Sequence, residues 1–561
     1  MNRPWLRWLG AAAAGAAVGL SFQPYAVWPL AFVGVAGLTL AVRESGGRLR
    51  ARRSFGVGYV FGLAMLGVAV SWLHVLGIWI ALALMIFEAL FFGLLGIALA
   101  LLTRVRWWPL AGALAWVSCE FGYSRVPFGG FGWTRIAYSQ VDGPLAGLFP
   151  FVGVVGVSLG TAGVGQLLAW LTLRVRNARR HGHALTGLLR LRPVVASAVA
   201  LALVALGGGL LRTWSGPGPR AGAGAVEVGI VQGNVPGRGI EAMGRARTVT
   251  DNHLSETIAM ITKARLGGSA LPDFVLWPEN STDIDPTLDR TTQEVVQSAT
   301  RIAGLPILVG AVMEGPGPDQ RQTSALWWDP DRGILARYDK RNLVPFGEWI
   351  PFRDQLLPLL PILKQVGAQS VPGTTPGVLR VPVVVDGRSQ TIAIGDVICF
   401  ELAYDRTVYE AITDGAQVLT VQSNNATYGG TGQIEQQFAI TRARAMESRR
   451  EIAVATTNSV SGLIDRTGHV TVRTQEFTAA SAVVSMPLRS ALTPALSIAP
   501  WLDRALALAT AGWLVAAAVI LRRRGSPRAA ARPMSQDGEN YPVPGGSSRP
   551  DDTPSRRQPV P

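Results

Sequence analysis

The feature that most constrains the fold of this chain is a series of apolar runs, each long enough to cross a lipid bilayer. A transmembrane helix needs about 20 predominantly apolar residues. Such runs lie near 8–22, 26–42, 55–73, 77–102, 107–121, 144–173, 194–212 and 502–521. The sequence therefore predicts a polytopic α-helical membrane protein of about eight spans, with a membrane domain of seven helices at 1–215 and the eighth helix at 500–522.

Arginines indicate how these runs are oriented, because short cytoplasmic loops carry an excess of Lys and Arg. Basic clusters occupy alternate loops, at 3–7, 43–53, 104–106, 174–192 and 522–524. We therefore expect both termini on the cytoplasmic side and the long segment before the last run on the extracytoplasmic side. Since the arginines flank the spans, the formal net charge of +15 does not indicate a nucleic-acid partner.

The two ends of the chain have simple interpretations. The first run follows two arginines and contains small residues, so it also resembles a signal peptide, but further spans follow at once and favour a membrane anchor. The tail at 525–561 is rich in Pro, Ser, Arg and Asp. That composition predicts a disordered cytoplasmic segment.

Residues 224–488 have the composition of a soluble α/β domain. Apolar stretches rich in β-branched residues predict strands at Val226–Val235, Asp273–Trp277, Pro306–Met313, Ser324–Trp328, Thr391–Phe400, Gln417–Gln422 and Ile452–Thr457. Helices are predicted near 240–265, 287–303, 404–413 and 433–449. Strands that alternate with helices, and strands that follow one another directly, predict a mixed sheet covered on its faces by helices.

One predicted strand ends at a cysteine, where a side chain is held rigidly while it reaches a cleft. Cys399 is therefore a candidate nucleophile, and a buried, inert thiol is the alternative. The other cysteine is Cys119, so too few ligands exist for a disulfide framework or a zinc site. Histidine is also scarce, with five in the chain. A nucleophile at Cys399 would therefore need a carboxylate as its base.

Three charged residues are candidate partners of this cysteine. Glu279 follows the apolar FVLW stretch, where a solvated loop acid is the alternative. Lys340 is a lysine in a chain whose 52 basic residues are nearly all arginine, and lysine supplies a compact point charge rather than a planar fork. A surface lysine is the alternative there. Glu348, in the PFGEW segment, is the second acid.

Glu279, Lys340 and Cys399, in that order and each just beyond a strand, resemble the catalytic set of the nitrilase superfamily. The spans around the domain, the VQGN segment at Val231–Asn234 and the PFGEW segment extend the resemblance to the apolipoprotein N-acyltransferase family. The similarity covers nearly the whole chain apart from the tail. It implies that the catalytic domain at 224–488 is a nitrilase-like α-β-β-α sandwich inserted between spans.

The resemblance also implies an activity. Such an enzyme transfers a fatty acyl chain from a phospholipid, through a cysteine thioester, to the α-amino group of the N-terminal diacylglyceryl-cysteine of an apolipoprotein. Cys399 would be the nucleophile, Glu279 the general base and Lys340 the essential lysine, with Glu348 and Glu401 in support. No cofactor or metal is implied, and we expect a monomer in a bacterial plasma membrane.

The sequence departs from the family pattern at two places near the cysteine. Phe400 stands where a tyrosine is common, and its backbone N–H is still expected to support the reaction. The segment Asn424–Tyr428 replaces one with Asp and Trp. Asn424, Asn425 and Tyr428 are candidate substrate-binding residues, with loop capping as the alternative for the asparagines.

Two further segments have open interpretations. The loop Glu120–Gln140 is rich in Gly and aromatic residues, which fits either an aromatic belt at the lipid interface or a surface that receives a lipid. The segment Leu356–Val366 is either a lip that dips into the interface or an ordinary connector. Its prolines argue against a long helix.

Two other functions use the same sequence features. A membrane-tethered amidase of the nitrilase type would need the same three residues but only one span. A transporter with an outward solute-binding domain is disfavoured, because intramembrane charges mark transport pathways and the spans contain almost none.

Overall fold

The computed structural model describes residues 5–43, 49–180, 206–214, 224–235, 247–385 and 387–524. The predicted span at 194–212 lies largely outside these residues, as do the tail at 525–561 and the start of the predicted helix at 240–265. The chain divides into two compact units, residues 1–517 and 518–561. The whole α/β domain belongs to the first unit.

The predicted N-terminal spans form helices. They are α1 (Trp5–Ser21), α2 (Pro29–Val42), α3 (Ala51–Ala69), α4 (Ile78–Leu102), α5 (Trp108–Tyr123) and α6 (Phe149–Arg180). Among the described residues, three segments are long and apolar enough to cross a membrane, namely Ile78–Leu102, Pro144–Arg180 and Pro494–Arg523. The helices α1, α2, α3 and α5 are shorter, with 14 to 19 residues each.

Glycines allow the membrane helices to approach closely. A Cβ built on Gly58 of α3 would lie 2.1 Å from the carbonyl oxygen of Phe92 in α4. A Cβ on Gly96 of α4 would lie 2.3 Å from the carbonyl oxygen of Ser54 in α3. Small residues at such crossings are typical of helix packing in membranes, and a larger residue at either position would separate these two helices.

Two mixed sheets form the α/β domain. The first has the order β13-β1-β2-β3-β4-β5 with β6 beside β4, and the second has the order β12-β11-β10-β9-β8-β7. Neighbours are parallel at β1–β2, β2–β3, β4–β6, β8–β9 and β9–β10. The strands are β1 (Ala225–Gln232), β2 (Phe274–Leu276), β3 (Ile307–Glu314), β4 (Gln320–Asp329), β5 (Gly333–Asp339), β6 (Gln369–Ser370), β7 (Val378–Val385), β8 (Arg388–Ile398), β9 (Val418–Ser423), β10 (Ile452–Thr456), β11 (Gly462–Ile464), β12 (Val470–Arg473) and β13 (Ala480–Pro487).

The two sheets lie face to face between two layers of helices. The helices after α6 are α7 (Thr248–Gly267), α8 (Arg290–Ala303), α9 (Arg353–Leu356), α10 (Asp405–Thr413), α11 (Gly432–Ser448) and α12 (Pro494–Arg524). Apolar side chains such as Val228, Leu308 and Ile394 fill the space between the sheets, and Met260 and Val296 belong to the cluster on the outer face of the first sheet. This is the α-β-β-α order that the resemblance implied.

The membrane helices and the helices outside the second sheet share one apolar cluster. Phe61 and Phe149 of the membrane part lie in the same cluster as Leu402, Ile434 and Phe438 of the α/β domain. Burial of large apolar side chains is the main stabilising contribution in such contacts. The α/β domain therefore packs directly on the membrane part of the chain.

Candidate active site

Cys399 follows the last residue of β8, at the carboxyl edge of the second sheet. Its backbone has a φ of +53°, a conformation that non-glycine residues rarely adopt. A short 3-10 helix, Cys399–Ala403, begins at the cysteine. Backbone strain of this kind is concentrated at functional sites, where the surrounding fold maintains it. The turn presents the partly exposed Cys399 thiol at the end of the strand.

Glu279 and Lys340 form a buried ion pair next to the cysteine. Glu279 lies just beyond β2 and Lys340 directly follows β5, and they are only 4% and 2% exposed. Lys340 Nζ lies 2.9 Å from Glu279 Oε1 and 3.0 Å from Glu348 Oε2. The alternatives of a solvated loop acid and a surface lysine are therefore wrong.

The protonation states of this cluster follow from its charges. Burial alone would lower the pKa of Lys340, but the carboxylates of Glu279 and Glu348 raise it well above its ordinary value. Burial and the neighbouring Glu279 carboxylate raise the pKa of Cys399, which Lys340 only partly offsets. The resting cluster thus holds an ammonium and a neutral thiol, so the thiol must lose its proton to a base during any attack.

Glu401 holds together the two segments that carry Lys340 and Cys399. Its Oε1 accepts hydrogen bonds from the backbone N–H groups of Arg341 and Asn342 at 2.8 and 3.1 Å. Its Oε2 accepts the N–H of Ile398 at 2.9 Å, and the Tyr338 hydroxyl lies 2.9 Å from both oxygens. Glu401 thus ties the end of β5 to the nucleophile turn, whereas Glu348 contacts Lys340 directly.

The segment after β9 closes another side of the site. The backbone N–H of Asn424 donates to Glu279 Oε2 at 2.8 Å, while the Asn424 side chain accepts from Thr457 Oγ1 and caps the loop. Asn425 Oδ1 lies 4.0 Å from Cys399 Sγ. Asn424 therefore contributes through its backbone, and of the two asparagine side chains it is Asn425 that reaches the thiol.

Aromatic side chains from the membrane part lie over the residue after the nucleophile. The ring of Phe400 stacks on Phe131 at 5.9 Å and on Trp133 at 5.8 Å. Tyr428 packs edge-on against Trp72, with ring centroids 5.3 Å apart. The loop Glu120–Gln140 is thus placed beside the cysteine turn, which an aromatic belt alone would not require.

Gln436 of α11 joins this aromatic group to the membrane helices, and the sequence interpretation missed it. Its Oε1 accepts the indole N–H groups of Trp72 and Trp133 at 2.9 and 2.8 Å. Its Nε2 donates to the carbonyl oxygens of Gln23 and Ala69 at 2.7 and 2.6 Å. The available signal was the glutamine-rich stretch Gln433–Gln437, which is unusual in a helix that is buried on most sides.

A buried ionic network beneath the cysteine turn was also missed. Arg444 of α11 donates to the Leu402 carbonyl at 2.9 Å and pairs with Asp405 and Glu447, each at 2.7 Å. Arg135 of the membrane loop pairs with Asp405 at 2.6 Å. Single charged residues far apart in sequence give no pattern that would have revealed this network.

The described residues contain no cluster of three or more His, Cys, Asp and Glu side chains arranged to hold a metal ion.

Comparisons with known proteins agree with this architecture. Residues 14–167 match the apolipoprotein N-acyltransferase N-terminal domain, and residues 271–491 match the carbon-nitrogen hydrolase family. The chain is 36% identical to an apolipoprotein N-acyltransferase of Mycolicibacterium smegmatis, over 92% of this chain and 85% of that protein. It is 29% identical to an apolipoprotein N-acyltransferase of Azotobacter vinelandii, over 95% of this chain and 98% of that protein.

Among solved structures, a variant of the Nesterenkonia AN1 amidase from the nitrilase superfamily is similar with a TM-score of 0.35 and 16% identity. That match covers 49% of this chain and 94% of the amidase. The sequence relatives and the two family models, which lie in the order expected for a membrane domain followed by a catalytic domain, show that the chain belongs to the apolipoprotein N-acyltransferase family.

Proposed function

We propose that this chain transfers a fatty acyl chain from a phospholipid to the α-amino group of the diacylglyceryl-cysteine at the N-terminus of an apolipoprotein. Family membership favours this activity over the amidase alternative. The observation that carries the mechanism is the buried cluster in which Lys340 Nζ lies 2.9 Å from Glu279 and 3.0 Å from Glu348, beside the Cys399 turn.

In the first half-reaction Glu279 takes the Cys399 proton, and the sulfur attacks the ester carbonyl carbon of the phospholipid. The oxyanion that develops needs donors already directed at it. The Lys340 ammonium and the backbone N–H of Phe400 supply them, since N–H groups in the first turn of a helix have no acceptor within it. The alkoxide of the lysophospholipid leaves with the proton from Glu279, and a thioester remains on Cys399.

In the second half-reaction the neutral amine of the acceptor attacks the thioester carbonyl. Glu279 takes a proton from the amine and passes it to the departing Cys399 sulfur, which restores the thiol. The product is an amide, which is a poorer acyl donor than a thioester, so transfer is favoured. The two substrates react in turn through one covalent intermediate, as in other ping-pong enzymes.

The membrane arrangement belongs to the same proposal. Eight spans would place the domain at 224–488 on the extracytoplasmic face of a bacterial plasma membrane and both termini in the cytoplasm. The arginine-rich loops at 43–53 and 174–192 support this orientation. A lipid donor and a lipid-anchored acceptor would then both reach the site within the plane of the membrane.

Two apolar segments could guide lipid to the cysteine. Leu359 and Leu360 are 74% and 47% exposed, in the segment Leu356–Val366. Phe352, also exposed, packs against Phe128 of the Glu120–Gln140 loop with ring centroids 5.9 Å apart. Exposed apolar groups of this size are typical of a membrane contact, so we propose that they form a lip at the lipid interface.

The lip is tested by replacing Leu359 and Leu360 with Ser. Acylation by phospholipid should slow far more than alkylation of Cys399 by a soluble thiol reagent, because only the lipid needs the apolar entry. The matched control is Leu266→Ser, since Leu266 is exposed on α7. Equal slowing of both reactions in the lip variant would show that the segment is an ordinary connector.

The activity is tested with purified protein, a defined phospholipid and a synthetic diacylglyceryl-cysteine peptide in detergent. The peptide should gain the mass of one acyl chain, and the Cys399→Ala and Glu279→Gln variants should lose this product. Loss of a general base typically reduces rates by about 10²- to 10⁴-fold. Release of free fatty acid or hydrolysis of small amides, without peptide acylation, would contradict the proposal.

A further inference from the structure

A second candidate site lies among three membrane helices, at residues that are far from Cys399 in the sequence. One end of α2, the start of α5 and the end of α6 surround a cavity of about 170 Å³. A volume of about 10–15 Å³ on this measure is enough for one water, so the cavity has room for a group the size of a phosphate. It is lined by Arg43, Trp108, Trp170, Leu173, Arg174 and Asn177.

Each arginine of this cavity lies over a tryptophan ring. The guanidinium carbon of Arg43 is 5.7 Å from the centroid of Trp108, and that of Arg174 is 5.0 Å from the centroid of Trp170. In the parts of the chain that the structure describes, neither guanidinium pairs with a carboxylate. Cation–π contacts of this kind orient a guanidinium and leave its N–H groups free for an anion.

The helices that surround the cavity are in close contact one turn away from it. Thr39 Oγ1 of α2 donates to Gln166 Oε1 of α6 at 3.1 Å, and both side chains are fully buried. A Cβ built on Gly112 of α5 would lie 2.8 Å from the Gln166 amide carbon. These contacts hold α2, α5 and α6 close together next to the cavity.

The residues that join the helices lie close in sequence to the residues that line the cavity. Residues four apart lie on one face of a helix, and Gln166 precedes Trp170 by four positions. Gly112 likewise follows Trp108 by four. Arg43 caps α2, and its backbone N–H donates to the carbonyl oxygen of Thr39 at 3.1 Å. The arginines and tryptophans thus extend a junction that packing has already fixed, so the cavity exists before any ligand binds.

From this geometry we propose that the cavity binds the phosphate of an anionic phospholipid. Guanidinium groups bind phosphate oxygens in pairs, and tryptophans are enriched at the membrane–water interface. Basic pockets between transmembrane helices on the cytoplasmic side are suited to anionic head groups. The loops beside Arg43 and Arg174 are the arginine-rich ones, which the orientation proposed above places in the cytoplasm. On that orientation the lipid comes from the cytoplasmic leaflet and is distinct from the acyl donor.

The test is native mass spectrometry of the full chain in detergent with added phosphatidylglycerol or phosphatidylcholine of the same acyl chains. All proteins carry Cys399→Ala, which prevents acylation from changing the mass. The test variant is Arg43→Ala with Arg174→Ala. The matched control is Arg176→Ala with Arg179→Ala, which removes the same charge from exposed positions on α6 outside the cavity.

The protein with an intact cavity should retain one phosphatidylglycerol more firmly than phosphatidylcholine, and the control should behave in the same way. The test variant should bind phosphatidylglycerol about 10- to 30-fold more weakly, since each arginine near an anionic surface contributes about 1 kcal/mol. Arg174→Ala alone, at an exposed position, gives a second variant in case the double variant does not fold.

Three results would overturn the assignment. They are equal phosphatidylglycerol binding by the test variant and the intact cavity, an equal loss in the control, and a lack of preference over phosphatidylcholine. A thermal stabilisation by inorganic phosphate that depends on Arg43, without lipid binding, would identify free phosphate as the ligand and would also overturn the lipid source.

Discussion

At the scale of single residues, Lys340 lies between two carboxylates, and its single positive charge neutralises only one of their two negative charges. Glu279 and Glu348 each contact its ammonium group, so the three residues together carry one net negative charge when all are ionised. In the mechanism proposed above, one of these carboxylates accepts the thiol proton. Because Lys340 contacts both acids at once, the position of its ammonium group depends on both.

Replacing Glu348 with Gln removes one of these two contacts. We expect acylation of Cys399 to slow by about 10- to 100-fold, because hydrogen bonds to charged groups contribute about 1.5–3 kcal/mol. The rate is measured as the appearance of the acyl adduct in a single turnover. The control Glu294→Gln changes an exposed glutamate on α8. An unchanged rate in Glu348→Gln would show that Glu348 does not support acylation.

Asp396, three residues before the nucleophile, gives a prediction about pH. Burial raises its pKa to about 8, and its Oδ1 accepts a hydrogen bond from Thr420 at 2.6 Å. The folded protein therefore keeps a proton that the unfolded chain loses near pH 4. The free energy of unfolding should therefore fall as pH rises from 4 to 8, by up to about 1.4 kcal/mol per pH unit.

The variant Asp396→Asn should lose this dependence, because the amide does not ionise. Thermal denaturation at pH 5 and pH 8 compares it with the unaltered protein and with the exposed control Asp319→Asn. We expect a smaller drop in the midpoint for Asp396→Asn than for the other two proteins. Parallel pH profiles in all three would show that Asp396 does not carry the effect.

At the scale of elements, Arg444 connects α11 to the turn that carries the nucleophile. It is fully buried and pairs with Asp405 and Glu447. Burial would raise the pKa of Asp405, but Arg135 and Arg444 lower it strongly. Removing one partner from such a network leaves the remaining charges buried and uncompensated.

The substitution Arg444→Met should therefore destabilise the protein by about 3–5 kcal/mol, the usual effect of breaking a buried ion pair. It should also lower the denaturation midpoint of the detergent-solubilised protein markedly. Arg290→Met is the matched control, since Arg290 is 89% exposed and pairs with Glu294 on the surface. That control should change stability by less than about 1 kcal/mol. Similar effects of the two substitutions would contradict the proposed role of Arg444.

The sequence predicted those strands and site residues that can be recognised within one short segment of the chain. β8 and β9 were predicted because their apolar β-branched runs are continuous. Cys399 and Glu279 were found because each comes at the end of such a run, whereas Lys340 was found because lysine is rare in this chain and the strand before it, β5, was not predicted. β7 was missed because Pro382 weakens a strand pattern. β12 and β13 were missed because their side chains are only half-buried and their patterns are correspondingly weak.

Contacts between distant segments left no signal in the sequence. The roles of Gln436 and Arg444 depend on how the membrane helices pack against α11, and periodicity within one element does not predict that packing. The same applies to the cavity at Arg43 and Arg174, which are 131 positions apart. Their short-range sequence context predicted only cytoplasmic loops.

At the scale of the whole molecule, the candidate active site lies where the membrane part and the α/β domain meet. Trp72 and Trp133 from the membrane part lie with Phe400 beside the cysteine, and Gln436 fixes both indoles. An apolar surrounding of this kind excludes water, which would otherwise hydrolyse a thioester. The architecture therefore suits an enzyme that must hold an acyl chain until an amine arrives.

The most direct test of this account is the intact mass of the purified protein after incubation with a defined phospholipid, beside the Cys399→Ala variant. We predict a gain of one acyl chain that is absent from the variant and is discharged by a diacylglyceryl-cysteine peptide. A folded protein that forms no adduct with phospholipid, and instead hydrolyses small amides, would contradict the account.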